Sequence, residues 1–167
     1  MKNLRIPSLA LLRLTLFCLG LILPCAALAQ AIAPKETALH AAGVNTVRAI
    51  AAGNAAYLSS IVDAQGIKVG HDDVIYSAQS FRNDLAHRSG VYCELFEKGC
   101  TTDHNPVYTL QHVFQSSSDP LDADLKFKLN GTEGTLDYSE RGGGNLIATF
   151  TYRFAGGKWY LCNIHYV

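Results

Sequence analysis

The clearest hydrophobic pattern lies at the end of the chain. Leu146, Ala148, Phe150, Tyr152 and Phe154 alternate with Ile147, Thr149, Thr151 and Arg153, the period of two that marks a β-strand. Next come Ala155-Gly156-Gly157-Lys158 and a second aromatic and β-branched run from Trp159 to Val167. Two glycines between such runs predict a two-residue hairpin, because both central positions of a type I′ turn need positive φ. That turn sets a register in which Phe154 faces Trp159, Tyr152 faces Leu161, Phe150 faces Asn163, Ala148 faces His165 and Leu146 faces Val167. These pairs share the more apolar side of the sheet. The other side receives Ile147, Thr149, Thr151 and Arg153 with Tyr160, Cys162, Ile164 and Tyr166.

Helical spacing dominates the first half. Val47, Ile50, Ala51, Leu58, Ile61 and Val62 recur at steps of three, four and seven, one apolar face of a long helix. Gly53-Asn54 interrupts that face, since glycine is a poor helix former and asparagine a good N-cap, so two helices are predicted over 35–52 and 54–62. Asp63 to Gly66 reads as a turn into a short strand, Ile67-Lys68-Val69. A second turn, 70–73, leads into Val74-Ile75-Tyr76. Ser77 caps a helix with Ala78, Phe81 and Leu85 on one face, stopped by Gly90. Val91 to Cys100 is expected to be irregular. Asn105-Pro106 signals a further short helix, with Val107, Leu110, Val113 and Phe114 facing inward. Two strands, about 122–130 and 134–139, are joined through Asn130-Gly131-Thr132, which also matches a glycosylation acceptor. Gly142-Gly143-Gly144 separates them from the terminal hairpin.

Helices segregated from a run of antiparallel strands predict an α+β domain. The break at Gly53-Asn54, the Asp63…Gly66 turn into a short strand, the Ser77–Ser89 helix and the closing Gly156-Gly157-Lys158-Trp159-Tyr160-Leu161 hairpin carry a resemblance. With them the chain resembles the nuclear transport factor 2-like superfamily, the cystatin-like α+β cone that includes the SnoaL group of polyketide cyclases. The resemblance implies N-terminal helices packed on a curved antiparallel sheet ending in a long β-hairpin. It also implies a cone whose open end holds a small apolar ligand. The segment from Val91 to Ser117, with its two cysteines, departs from that pattern.

The first 29 residues read as a secretory leader. Lys2, Arg5 and Arg13 precede a mostly apolar stretch from Leu14 to Leu23, and Ala27-Leu28-Ala29 is a small-residue cleavage site. Gly20 and Pro24 interrupt a run already short for a membrane span, and Pro24 is ill placed for lipidation of Cys25. The expected mature chain is one domain, 30–167, periplasmic or secreted. Three of the 14 basic residues leave with the leader and none of the 14 acidic ones do, so what remains is acidic. No basic stripe exists to track a phosphate backbone, and nucleic acid is not an expected partner. Cys93, Cys100 and Cys162 remain in an oxidising compartment, where one disulfide is expected. Cys93–Cys100 is the first choice by proximity, worth roughly 2.5 kcal/mol in the chain-entropy model; a bridge from either to Cys162 is the alternative.

Candidate chemistry comes from the predicted register. It places Asn163 and His165 among Phe150, Tyr152 and Trp159, where polar groups need hydrogen-bond partners. These five, with Asp63 as the nearest carboxylate, are the candidate pocket residues. A histidine so enclosed is a general acid or base near neutral pH, but no second catalytic group is fixed by spacing, and satisfaction of buried polar groups is the plainer reading. His71-Asp72-Asp73 suggests a metal only on paper, because it falls in a turn with no second ligand group. His40, His87, His104 and His112 have no evident partner. There is no Gly-x-Ser-x-Gly elbow, no phosphate-binding glycine loop and no haem motif, so no cofactor is expected. The reading is a domain that binds a small apolar ligand or another exported protein, in the manner of an immunity protein or inhibitor, without catalysis. The alternative is a small-molecule isomerase, cyclase or dehydratase using His165, with Tyr152 or Asn163 orienting the substrate. A homodimer joined through Tyr160, Ile164 and Tyr166 is a third expectation.

Overall fold

The computed structural model describes residues 34–97, 100, 108–116 and 118–167. Two compact units are distinguished, Met1–Thr37 and Ala38–Val167. Within the first, only residues 34–37 are described, and they are helical. The leader predicted over 1–29 lies outside the described residues. The second unit holds the sheet and the helices packed on it.

Helix α1 is described from residue 34 to 51. Leu39, Thr46, Val47 and Ile50, buried with Ala49 beside them, recur at seven, one and three residues, a stripe along one side of the helix. Gly43 falls in that stripe, and it is what brings α1 close to the sheet. A Cβ there would stand 2.6 Å from a ring carbon of Phe127 and 2.9 Å from a methyl of Leu136. Gly134 answers from the sheet side, since a Cβ on it would lie 2.6 Å from both Leu39 methyls. Helix and strands therefore meet at a distance that only glycine allows.

The Gly53-Asn54 break is present. Gly53 has φ 69, and the Asn54 side chain accepts from Tyr57 N at 3.1 Å to start α2, Ala55–Ile61. The turn at 63–66 is closed by the Asp63 carboxylate, which accepts from Gln65 N at 2.7 Å. Strands β1 (Ile67–Val69) and β2 (Val74–Tyr76) form the short antiparallel pair. Helix α3, Ala78–His87, is capped by Ser77, which accepts from Ser80 N. Its end differs from expectation: Arg88, at φ 52, takes the left-handed cap in place of Gly90. Gly90 instead precedes a short helix, α4 (Val91–Leu95), in the stretch expected to be irregular. The Asp84 carboxylate reaches forward to accept from Val91 N at 3.2 Å, supplying a partner for one of the first-turn amides that no local residue provides. Helix α5 spans Leu110–Gln115, capped by Thr109; the expected start at Asn105-Pro106 lies outside the described residues.

The remaining strands are β3 (Asp124–Asn130), β4 (Glu133–Ser139), β5 (Leu146–Ala155) and β6 (Lys158–Tyr166). The six lie in the order β2-β1-β6-β5-β4-β3. The sheet is mixed rather than purely antiparallel, because β1 runs parallel to β6. One buried cluster joins residues of all five helices to Leu136, Ala148, Phe150, Tyr152, Leu161 and Ile164 of the strands. The α+β class and the long closing hairpin are those read from the sequence.

The hairpin itself needs one correction. Ala155 pairs with Lys158 across Gly156 (φ 55) and Gly157 (φ 80), and Phe154–Trp159 and Tyr152–Leu161 are in the expected register. Beyond Leu161 a β-bulge intervenes, and Thr151 now pairs with Asn163, Phe150 with Ile164, Thr149 with His165 and Ala148 with Tyr166. One extra residue exchanges the faces of every residue beyond it. Ile164 is thereby wholly buried, while Asn163 and His165 leave the aromatic side. The physical reason is the cost of the alternative, which would put an amide and an imidazole among Phe150 and Tyr152. The same shift removes the expected dimer face, since Ile164 and Tyr166 no longer share a side with Tyr160.

Cys93 and Cys100 are bridged, with Cα atoms 5.5 Å apart. Cys162 is free and half-buried; its thiol donates to the Thr151 carbonyl at 3.3 Å. Burial, and secondarily the Asp63 carboxylate, pushes that thiol up to about 11. It is protonated and poorly nucleophilic at neutral pH.

Candidate functional site

The six residues expected to form a pocket do not converge. Phe150 and Tyr152 are fully buried and Trp159 nearly so; they fill the core. The Tyr152 hydroxyl lies near Thr46 and Tyr57, and among the described residues it has no hydrogen-bond partner. Burial raises its pKa far beyond the usual phenol range. Asn163 is half-buried beside Lys68 and Thr151, and among the described residues its enclosed side-chain oxygen has no partner. Among the described residues a cavity opens at each end of the hairpin, and of the six residues only Asp63 lines either.

Asp63 was expected near His165 and is committed elsewhere. Its backbone N–H donates to the Leu161 carbonyl at 2.9 Å, and Val62 forms a parallel bridge with Leu161. That contact fixes the start of the turn beside β6. The carboxylate, 4% exposed, accepts from Arg153 Nε at 2.6 Å and pairs with Nη2 through its other oxygen. Arg153 Nη1 also donates to the Gln65 side-chain oxygen. This forked geometry is the strong form of a carboxylate–guanidinium pair.

His165 finds a different carboxylate. The turn after β1 is held against β6 by Gly70 N donating to the Ile164 carbonyl at 3.0 Å. It carries Asp73, in the left-handed region at φ 50, to 3.3 Å from His165 Nδ1. The His71 ring lies 6.0 Å from that of His165. Beside them the Tyr166 hydroxyl donates to Glu94 Oε2 at 2.8 Å. Burial and Glu94 together raise the Tyr166 pKa far above neutrality, and burial, Glu94 and Asp84 push Tyr76 up to about 12. Glu94 thus gathers two phenols and ties α4, next to the Cys93 bridge, to the end of β6. Among the described residues, no group of three or more His, Cys, Asp or Glu is arranged to hold a metal ion.

A cavity of about 330 Å³ opens at this end of the sheet. His71, Tyr108, Leu110, Val113, Ile147, Tyr166 and Val167 line it. Its walls are chiefly apolar, with the phenols of Tyr108 and Tyr166 and the His71 imidazole as polar exceptions. Sequence reasoning did not find Glu94, Tyr76 or Tyr166 as site residues. Their contacts join segments far apart in the chain, and no local spacing announces them. The polar turn at His71-Asp72-Asp73 was visible, but its partner on β6 was hidden by the bulge.

No family model and no curated protein matches this chain. Among solved structures, the chain is similar to an NTF2 design, at 14% identity with a TM-score of 0.44, covering 79% of this chain and 99% of that one. It is also similar to an uncharacterized cystatin-fold protein from Novosphingobium aromaticivorans, at 14% identity with a TM-score of 0.40, covering 78% and 97%. At those values neither likeness bears on what this chain binds.

Proposed function

We propose that this chain is the binding domain of an exported protein and that it takes a small apolar molecule, without catalysis, in the cavity at the end of β6. The observation that carries the reading is the cavity itself. Its volume of about 330 Å³ falls within the range of ligand sites, roughly 300–1,000 Å³, and apolar walls with a few polar groups are their usual composition. The Cys93–Cys100 bridge supports an oxidising compartment. Among the described residues, no helix is long and apolar enough to cross a membrane.

The acid/base alternative has weaker support. His165 does not line the cavity, and its Nδ1 faces Asp73. Tyr166 does line it, but its proton is directed at Glu94 and held there at neutral pH. Neither group is placed to exchange a proton with an occupant. A protein partner is favoured by one other feature: on the edge strand β2, Ile75 is 77% exposed and Val74 is half exposed, and apolar edge strands invite pairing.

The test is protein-observed NMR with indole and cyclohexanol as neutral probes. Binding should shift the signals of Val113, Ile147 and Tyr166, and Val113→Trp, which fills the cavity, should abolish the shifts. Shifts confined to Val74 and Ile75, or shifts that survive Val113→Trp, would refute the cavity as the binding site.

A further inference from the structure

A second cavity, of about 450 Å³, lies at the opposite end of the hairpin, where α2, α3 and the β5–β6 turn meet. Its wall has an unusual charge. Arg82 and Arg153 both line it, against the single carboxylate of Asp63. The acceptor capacity of Asp63 is already engaged by Arg153 and by the Gln65 amide. Arg82 donates Nε to the Ser59 carbonyl at 3.1 Å. Among the described residues its terminal nitrogens have no hydrogen-bond or ion-pair partner. Two guanidinium charges against one carboxylate leave the wall positive, and the Gln65 amide and Tyr160 hydroxyl add further donors.

From this we infer that the cavity binds a small organic carboxylate. The anion meets the free fork of Arg82, which matches a carboxylate's two oxygens. The apolar remainder of the ligand lies on Val62, Ala155 and the Tyr160 ring. Those apolar walls favour an organic acid over a bare inorganic anion, which would gain nothing from them. Asp63 has a positioning role here: by pairing with Arg153 it fixes that guanidinium at the rim and keeps the net charge of the wall moderate. The site is separate from the cavity at the end of β6, and neither reading depends on the other.

Benzoate, benzamide and inorganic phosphate are the probes, titrated into the full chain while the amide signals of Gln65, Arg82, Gly156 and Tyr160 are monitored. Benzoate should shift these four and bind at least about tenfold more tightly than neutral benzamide, a difference of one carboxylate–guanidinium interaction. Arg82→Met should weaken benzoate by a similar factor. Because Arg82 also holds the end of α2, a second variant, Ala155→Leu, blocks the cavity from the exposed hairpin and should abolish the shifts in a protein that keeps its fold. Equal binding of benzamide and benzoate, binding of phosphate but not benzoate, or benzoate shifts unchanged by Ala155→Leu would each overturn the inference.

Discussion

The pair of Asp63 and Arg153 is a place where one substitution should have a large and separable effect. Arg153→Met removes the partner of a carboxylate that is 4% exposed. Breaking one side of a buried ion pair costs about 3–5 kcal/mol, chiefly because the remaining charge is left without compensation. The Arg153 side chain is 35% exposed, so water screens part of that loss, and a cost of about 2–3 kcal/mol is expected. Asp63→Asn keeps the oxygen that accepts from Gln65 N and loses only the charge, at about 1–2 kcal/mol. In the double variant no buried charge remains unpaired. Its cost should therefore fall short of the sum of the two by about 1–2 kcal/mol, a coupling of the size seen between residues in contact. Urea unfolding monitored by tryptophan fluorescence measures this, because Trp159 lies in the same hairpin as Arg153. With a slope of about 1–3 kcal/mol per molar urea, the arginine substitution alone moves the midpoint by about 0.7–3 M. Additivity of the two substitutions within about 0.5 kcal/mol would show that the contact does no more than two independent surface groups would.

Two other regions make similar demands. Gly134→Ala should destabilise by about 1–3 kcal/mol, because the new methyl meets Leu39, itself buried, at 2.6 Å; an unchanged melting temperature would show that α1 yields freely. Stability should also fall in alkali. The Cys162 thiol titrates near 9.0 when unfolded and is held up to about 11 by burial and Asp63. Its folded-state pKa is therefore raised, and its contribution is complete below pH 9.0 and lost as pH climbs to about 11. Tyr76, raised from 10.0 to about 12 by burial and Glu94, extends the decline to about pH 12. Cys162→Ala should flatten the first part of that decline and leave the second. A urea midpoint that stays constant across the alkaline range would contradict both assignments.

Much of the fold was legible because its signals are local. Asn54, Ser77 and the Gly156-Gly157 pair each act on their nearest neighbours, and each does in the structure what its chemistry suggests. The Cys93–Cys100 bridge could be guessed from proximity alone. The α4 turn was not legible, because its first amide is satisfied by Asp84, seven residues back on another helix. The same holds for Gly43 and Gly134, whose role as a close-approach pair exists only once α1 lies across β3 and β4. Glu94, Tyr76 and Tyr166 likewise meet only through the tertiary fold.

The candidate site was misread for a narrower reason, and it lies in four residues. Leu161-Cys162-Asn163-Ile164 has its apolar members three apart, whereas an unbroken strand with one buried face would keep them two or four apart. Strict alternation from the turn has to send Asn163 inward and Ile164 outward, and the chain resolves the conflict by bulging, with Ile164 going inward opposite Phe150. The gain is burial of a whole isoleucine side chain, about 1.5–3 kcal/mol, together with keeping an amide and an imidazole off the aromatic side of Phe150 and Tyr152. The cost is one local interruption of the ladder, and Cys162, the residue left over, recovers part of it by donating to the Thr151 carbonyl. With His165 turned outward by that step, Asp73 on the neighbouring turn replaces Asp63 as its carboxylate, and Asp63 is left to Arg153. If Cys162 is the supernumerary residue, removing it altogether leaves Leu161, Asn163 and Ile164 alternating without a bulge, and Ile164 still meets Phe150. That deletion should therefore cost less than Ile164→Ala, which empties a core position and should destabilise by about 2–5 kcal/mol. Thermal melts of the two variants decide the matter: a deletion at least as damaging as Ile164→Ala would mean that the bulge does more than correct the strand's phase.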